Sequence, residues 1–360
     1  MRGSCRARLG PHLRTRYNPT VSSSLKWQSS TLFDETIEHV TLSEADLRRI
    51  APRLKSEVEH RGWLLCRGDA FDLLPLLPPA SIDLILTSPP YWGHRSYGQD
   101  HNWEILADWQ AEGGTVNEPP PYDWYRDHGG VLGLEPVPEW FISYLAEFFD
   151  RARHALKPQG NLWINLGDTY FARWSSIRDQ GRQGLGDQQR LRRRTPMGDY
   201  RQEKQLLMIP ARFAIAMQER RWILRNDLIW HKPNVPPRPE RDRLRLSHEH
   251  FFHFVKRPKE GRPKYFYDMT KAEREMNDVV TCNVRAGEEG HSATFPESLI
   301  APRIASSCPQ GGLLLDPFCG SGRALVTGMK LGCRAVGFDV ADEYLEISRR
   351  LLAQGLLPSS

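Results

Sequence analysis

Leu315-Asp316-Pro317-Phe318-Cys319-Gly320-Ser321-Gly322 closes the apolar run Leu313 to Leu315, and a helical pattern from Arg323 to Leu331 follows it. A strand that ends in Asp-Pro-Phe-x-Gly-x-Gly leaves backbone N–H groups free at the start of the next helix, with no bulky side chain over them. A ligand can therefore come close to the main chain. A dinucleotide fingerprint would need a third glycine where Leu325 stands, which argues against a nicotinamide cofactor. Seventeen residues beyond Gly322 the next strand ends Gly337-Phe338-Asp339, and a carboxylate there can accept hydrogen bonds from both hydroxyls of a ribose. A third strand ends Arg67-Gly68-Asp69-Ala70. Asp69 reads either as a partner for an adenine amino group or as the N-cap of the segment after it.

Far upstream, Asp83-Leu84-Ile85-Leu86-Thr87-Ser88-Pro89-Pro90-Tyr91-Trp92 ends a strand with a different turn. Two consecutive prolines remove two N–H donors, so the carbonyls before them can point into a pocket without internal partners. Ser88 adds a hydroxyl and Tyr91 a flat face. An exocyclic amine on an aromatic base has two N–H groups and a lone pair delocalised into the ring. Hydrogen bonds from both protons to Ser88 Oγ and the Pro89 carbonyl would draw the nitrogen toward sp3 and aim its lone pair at an electrophile. Stacking on Tyr91 would hold the ring, worth roughly 1–3 kcal/mol. Standing alone, Ser-Pro-Pro-Tyr also reads as a structural turn.

Apolar β-branched runs alternate with helical patterns, which indicates an α/β sheet. Strands are expected at Trp63 to Cys66, Ile82 to Thr87, Leu162 to Leu166, Ile223 to Trp230, Phe251 to Val255, Leu313 to Leu315 and Ala335 to Phe338. Helices are expected at Ser43 to Val58, Glu139 to Leu156, Pro210 to Gln218, Pro296 to Ser306, Arg323 to Leu331 and Asp342 to Leu352. In the second of these, Trp140, Phe141, Tyr144, Leu145, Phe148, Phe149, Ala152 and Leu156 form one stripe, and Pro158 and Gly160 are read as its stop. Residues 99–137, rich in Gly, Pro and acid, read as a flap or insertion; Pro119-Pro120-Pro121-Tyr122 reads as an ordinary loop rather than a ligand for a proline-binding domain.

The formal charge of +5 on 360 residues is small, but the basic residues are unevenly placed. Residues 1–27 hold Arg2, Arg6, Arg8, Arg14, Arg16 and Lys26 and no acid, so residues 1–40 read as a disordered arm, either a polyanion contact or a solvated tail. Residues 171–204 carry eight arginines and one lysine against four acids, and are expected to lie on the surface as a nucleic-acid contact or a solvated loop. The six cysteines form no C-x-x-C pair and no zinc spacing, so no metal is expected and a reducing cytosol is the expected setting. No run approaches 18 uninterrupted apolar residues.

Taken together, these blocks resemble the S-adenosylmethionine-dependent amino-methyltransferases of DNA, in particular the N4-cytosine branch associated with Ser-Pro-Pro-Tyr. The resemblance runs from about Gly62 to Leu352. It also includes Asn165-Leu166-Gly167-Asp168-Thr169-Tyr170, Leu228 to Asn234, Ser247-His248-Glu249, His291 with Phe295-Pro296, and Asp339 with Tyr344. The reaction motif precedes the cofactor motif, which looks like the permuted, β-type order. The resemblance implies a Rossmann-like methyltransferase sheet with helices on both faces and an inserted target-recognition region. Residues 41–170 would be the catalytic half, 171–280 the basic loop, core elements and target-recognition region, and 281–360 the cofactor half.

By this resemblance, Asp316, Phe318, Gly320, Ser321 and Gly322 would cradle the methionine part of S-adenosylmethionine, Asp339 its ribose and Asp69 its adenine, with Phe295 and Pro296 lining the same pocket. Ser88, Pro89, Pro90 and Tyr91 would serve the reaction. Arg190, Arg192, Arg193, Arg194, Lys232, Arg238, Arg241, Arg243 and Arg245 are candidates for contacts to double-stranded DNA, or for a solvated, salt-bridged surface. A target base would be flipped out of the duplex. Arg323 departs from the small hydroxylated residue usual after Gly-Ser-Gly, and Val280 from a common tryptophan. N4-methylation of cytosine is the expected reaction, in a bacterial cytosol and beside a cognate restriction endonuclease. N6-methylation of adenine, methylation of RNA or of a protein glutamine, and a non-catalytic DNA-binding module are the alternatives. Cytosine C5 chemistry is not expected, since it needs a thiolate from Pro-Cys and the chain has Cys308-Pro309.

Overall fold

A computed structural model describes residues 41–94, 99–177, 191–235, 241–272, 277–284 and 296–355. The expectations for residues 1–40, and for Arg190, Arg238, His291 and Phe295, lie outside the described residues. In chain order the elements are β1 (Thr41–Leu42), α1 (Glu44–Ile50), α2 (Leu54–Arg61), β2 (Trp63–Arg67), α3 (Ala70–Leu73), β3 (Ile82–Thr87), α4 (Ile105–Ala111), α5 (Tyr122–Asp127), α6 (Pro138–Ala152), β4 (Leu156–Leu166) and β5 (Trp174–Ile177). There follow β6 (Leu191–Arg194), α7 (Ile209–Glu219), β7 (Trp222–His231), β8 (His248–Lys256), β9 (Val279–Thr281), α8 (Glu297–Ser307), β10 (Leu313–Asp316), α9 (Arg323–Lys330), β11 (Arg334–Asp339) and α10 (Asp342–Gly355).

Nine strands form one sheet in the order β1-β2-β11-β10-β3-β4-β8-β7-β9. Within it β8 alone is antiparallel to its neighbours. The central strands are apolar throughout because both their faces are covered. Leu84 and Leu86 of β3 pack with Leu299, Ile300 and Ile304 of α8, whereas Ile85 packs with the aromatic stripe of α6. That stripe is buried from Trp140 to Ala152, and each large side chain removed from water contributes about 1.5–3 kcal/mol. From β10 the chain crosses through α9 to β11 on one side; from β3 it crosses through α6 to β4 on the other. β10 and β3 are themselves paired in parallel, Leu314 opposite Leu84 and Leu315 opposite Ile85. The connections thus diverge at this pair, and a crevice opens beyond the carboxyl ends of its strands. Both motifs end there.

Several expectations need correction. Pro52 divides the helix expected at Ser43 to Val58 into α1 and α2, with a 3-10 turn between them. Helix α6 ends at Ala152, and Leu156, Pro158 and Gly160 belong to β4. Proline is tolerated because the pairing of β3 with β4 is irregular there, Ile82 facing Leu156 but Leu84 facing Asn161. Residues 171–204 are not wholly surface. Phe171 and Arg201 are buried, and Arg201 Nη1 lies 2.5 Å from Glu139 Oε1 at the start of α6. β5 and β6 of the same stretch pair antiparallel.

Candidate functional site

The β10 turn is held by its own neighbourhood. Gly320 and Gly322 take φ of +50° and +74°, values that favour glycine. A Cβ on Gly320 would meet only open space, whereas one on Gly322 would strike Ser348 Oγ at 2.8 Å. Ser348 Oγ donates to the Gly320 carbonyl at 2.6 Å, and the Gly320 N–H donates to Asp339 Oδ2 at 2.9 Å. Asp339 also accepts from Ala341 N at 2.9 Å. Asp316 Oδ1 accepts from Thr87 Oγ1 at 2.6 Å and from Phe318 N at 3.1 Å, which ties the end of β10 to the end of β3.

Burial pushes the Asp316 carboxyl up to about 7 and that of Asp339 up to about 6. Neither has an ion-pair partner among the described residues. Burial, with both carboxyls nearby, also holds the Cys319 thiol well above its usual range, so it is no thiolate nucleophile. Cys308, raised by its hydrogen bond with Cys333 and by burial, sits in the core under α8.

The β3 turn is held from far away. Tyr91 Oη lies 3.0 Å from Asn165 Oδ1 and 2.8 Å from Glu249 Oε2, and Ser88 Oγ lies 3.5 Å from the same hydroxyl. Lys232 Nζ pairs with the other oxygen of Glu249, the two side chains being 13% and 15% exposed. The Tyr91 ring passes so close to Gly167 that a Cβ there would lie 2.8 Å from Cε2. On the other flank Gly133, at φ +91°, faces Pro90, and its N–H donates to the buried Glu135 carboxylate at 3.1 and 3.0 Å.

Both turns open into one cavity of about 1140 Å³. Asp69, Ser88, Pro89, Pro90, Tyr91, Asp316, Phe318, Gly320, Ser321 and Asp339 line it, as do Lys232 and Arg243. Gly322 stands behind its wall against Ser348, and Pro296 is buried at the head of α8. Asp69 serves as the N-cap of α3, accepting from Phe71 N at 2.9 Å, while its second oxygen accepts from Tyr122 Oη at 3.2 Å. Tyr122 comes from residues 99–137, where Trp140 Nε1 and Tyr144 Oη of α6 donate to the Val116 and Pro120 carbonyls. This stretch is packed as a wall, and Tyr122 is buried within it. Arg323 also lines the cavity, and its Nε is buried without a hydrogen-bond partner.

The arginines expected at DNA are dispersed. Arg243 lies over the Tyr170 ring at 3.9 Å, Arg245 Nη1 donates to the Val235 carbonyl at 3.1 Å, and Arg194 and Arg241 are exposed. Only the main chain of Arg192 and Arg193 is described. Lys232 faces inward to Glu249 rather than outward. Asn165, Glu249, Ser348 and Tyr122 carry no local sequence signal for the contacts they make here. Asn165 and Glu249 stood inside blocks that were noticed, but nothing local marks them as partners of Tyr91.

A model of the DNA methylase family of N6/N4 type matches residues 82–350. The chain is 34% identical over 316 residues to the Type II methyltransferase M.Cfr9I of Citrobacter freundii, covering 85% of this chain and 91% of that one. It is 31% identical to the Type II methyltransferase M.SmaI of Serratia marcescens, covering 81% and 91%. Among solved structures, the PvuII DNA methyltransferase, described as cytosine-N4-specific, superposes with a TM-score of 0.55 at 18% identity, over 83% of this chain and 87% of that one. Two motif-bearing strand ends share one crevice, and the match spans both; the chain belongs to the DNA methylase family.

Proposed function

We propose that this DNA methyltransferase transfers a methyl group from S-adenosylmethionine to the exocyclic N4 amine of a flipped-out cytosine. The observation that carries the reading is the shared cavity. Ser88-Pro89-Pro90-Tyr91 and Asp316 to Ser321 line it together, and Thr87 and Asp316 bond across the strand pair at 2.6 Å.

The cavity fits a cationic nucleoside cofactor. Asp316 is buried and Asp339 half-buried, neither has a cationic partner among the described residues, and desolvation opposes the ionisation of each. Gly320 leaves open space beside them. Asp339 suits a ribose and the Asp69–Tyr122 pair an adenine edge. When bound, S-adenosylmethionine supplies a sulfonium methyl as the electrophile.

The chain's own task is positioning. The two prolines leave the Ser88 and Pro89 carbonyls without following N–H groups, so they can accept from a substrate amine. Ser88 Oγ accepts a second proton. Tyr91, anchored at its hydroxyl, keeps its ring at a fixed angle as a stacking platform. With the cofactor bound, the neutral amine would bond to the methyl carbon as the carbon–sulfur bond breaks, the thioether would leave with that electron pair, and the methylated amine would lose its extra proton to solvent; no covalent enzyme intermediate is required, and among the described residues no thiolate faces the cavity. A duplex amine must be extruded to reach this depth. The names of the relatives support a place beside a cognate restriction endonuclease, with the methyl group protecting the host site.

The test is to incubate the protein with unmethylated DNA and methyl-labelled S-adenosylmethionine, digest the DNA to nucleosides and identify the labelled one by mass spectrometry. N4-methylcytosine is the expected product. N6-methyladenine would keep the fold and the positioning argument but move the target, and no label on DNA of varied sequence would sink the reading.

A further inference from the structure

Leu244 is 89% exposed, while the other large apolar side chains at the surface lie between 41% and 56% among the described residues. So exposed a leucine contributes almost nothing to the folded core. Its neighbours define where it stands: Asp242, Arg243 and Leu246 line the catalytic cavity, so the segment is the lip of that cavity and Leu244 its outward tip. Arg241, Arg243 and Arg245 alternate around it. Arg243 is laid on Tyr170 just inside the mouth, and Arg245 is braced on the Val235 carbonyl.

We infer that Leu244 inserts into the duplex beside the target nucleotide and fills the gap left in the base stack when that nucleotide enters the cavity. The flanking arginines supply charge for the adjacent phosphates. The inference rests on the proposed function, since a gap exists only if a base is extruded. An apolar wedge between base steps, bordered by cations, is a recurring solution to holding an unstacked duplex open. Leu244 is the one fully outward apolar side chain on the described part of this lip, and it adjoins the residues that would receive the base.

The experiment compares wild type, Leu244→Ala and Leu244→Met on two duplexes carrying the sequence at which the wild-type protein labels plasmid DNA. In one the target base is paired; in the other it lies opposite an abasic site, where extrusion costs less. Leu244→Ala is expected to lower kcat/KM about tenfold or more on the paired duplex and by less than about twofold on the abasic one. Leu244→Met should restore most of the loss, and calorimetric affinity for S-adenosylmethionine should not change. Equal activity of Leu244→Ala and wild type on the paired duplex overturns the inference, and so does an equal loss on both duplexes. If the wild-type protein labels no DNA, the proposed function fails, and this inference with it.

Discussion

At the end of β10, the residues that hold Gly320 in place are Asp339 and Ser348, 19 and 28 positions away along the chain. At the end of β3, the residues that hold the Tyr91 hydroxyl are Asn165 and Glu249, 74 and 158 positions away. Apart from the Thr87–Asp316 bond to β3, the first turn is held within one strand–helix–strand–helix unit. The second needs β4 and β8 to be in register beside it, and Lys232 from the end of β7 to neutralise Glu249. Disturbing the first should therefore act on a bound cofactor, and disturbing the second on the orientation of the substrate base.

The sharpest break of this comparison is a pair of substitutions. Tyr91→Ala is expected to lower turnover by about 100-fold or more, because stacking and the fixed ring angle are lost together, while cofactor affinity stays near normal. Asp339→Ala is expected to do the reverse, weakening cofactor binding at least about tenfold before it affects the methyl-transfer step. Single-turnover rates at saturating cofactor, with calorimetric binding, would separate the two; a large loss of cofactor affinity in Tyr91→Ala would contradict this division of labour.

A smaller effect is expected from Glu249→Gln, which keeps the shape but removes the charge opposite Lys232. The amide can still accept from Tyr91, so turnover should fall by about tenfold, with cofactor affinity unchanged. Loss of a partner from a largely buried ion pair should also lower stability by about 1–3 kcal/mol. Chemical denaturation and steady-state assays would show both. An unchanged rate would mean that Asn165 alone fixes the ring.

The finest distinction concerns pH. The Asp316 carboxyl, pushed up to about 7 by burial, is protonated more readily in the folded chain than in the unfolded one. Stability from this group is therefore greatest below about pH 4 and is lost as pH rises through about 7. Asp316→Asn can still accept from Thr87 and Phe318 and has no charge to bury. Its stability relative to wild type should rise between about pH 5 and pH 8, by an amount of order 2–4 kcal/mol. A cationic cofactor favours the ionised carboxyl, so wild-type affinity for S-adenosylmethionine should weaken as pH falls from about 8 to about 6. Paired denaturation curves and calorimetry would check both signs, and a gap that shrinks with rising pH would contradict the burial argument.

Strands β2, β3, β10 and β11 were legible because they are short apolar runs ended by turn residues, and buried parallel strands have that appearance. The boundary between α6 and β4 was misread, because Pro158 and Gly160 look like a helix stop and only the irregular pairing with β3 shows that a strand can contain them. The composition of its neighbours puts Arg201 at the surface, yet it is buried with its guanidinium donating to Glu139 and Asn117.

By itself the sequence determined the two turn chemistries: glycines where φ must be positive, consecutive prolines where donors must be absent, and carboxylates at three strand ends. These depend on residue type and immediate neighbours, which a linear chain specifies directly. The tertiary structure decided which strand ends meet. The divergence of crossovers at β10 and β3 brings the turns into one crevice, and the register of β4 and β8 delivers Asn165 and Glu249 to Tyr91. Such partners are chosen by strand order and pairing, and those arise from burial summed over the whole sheet rather than from any local spacing.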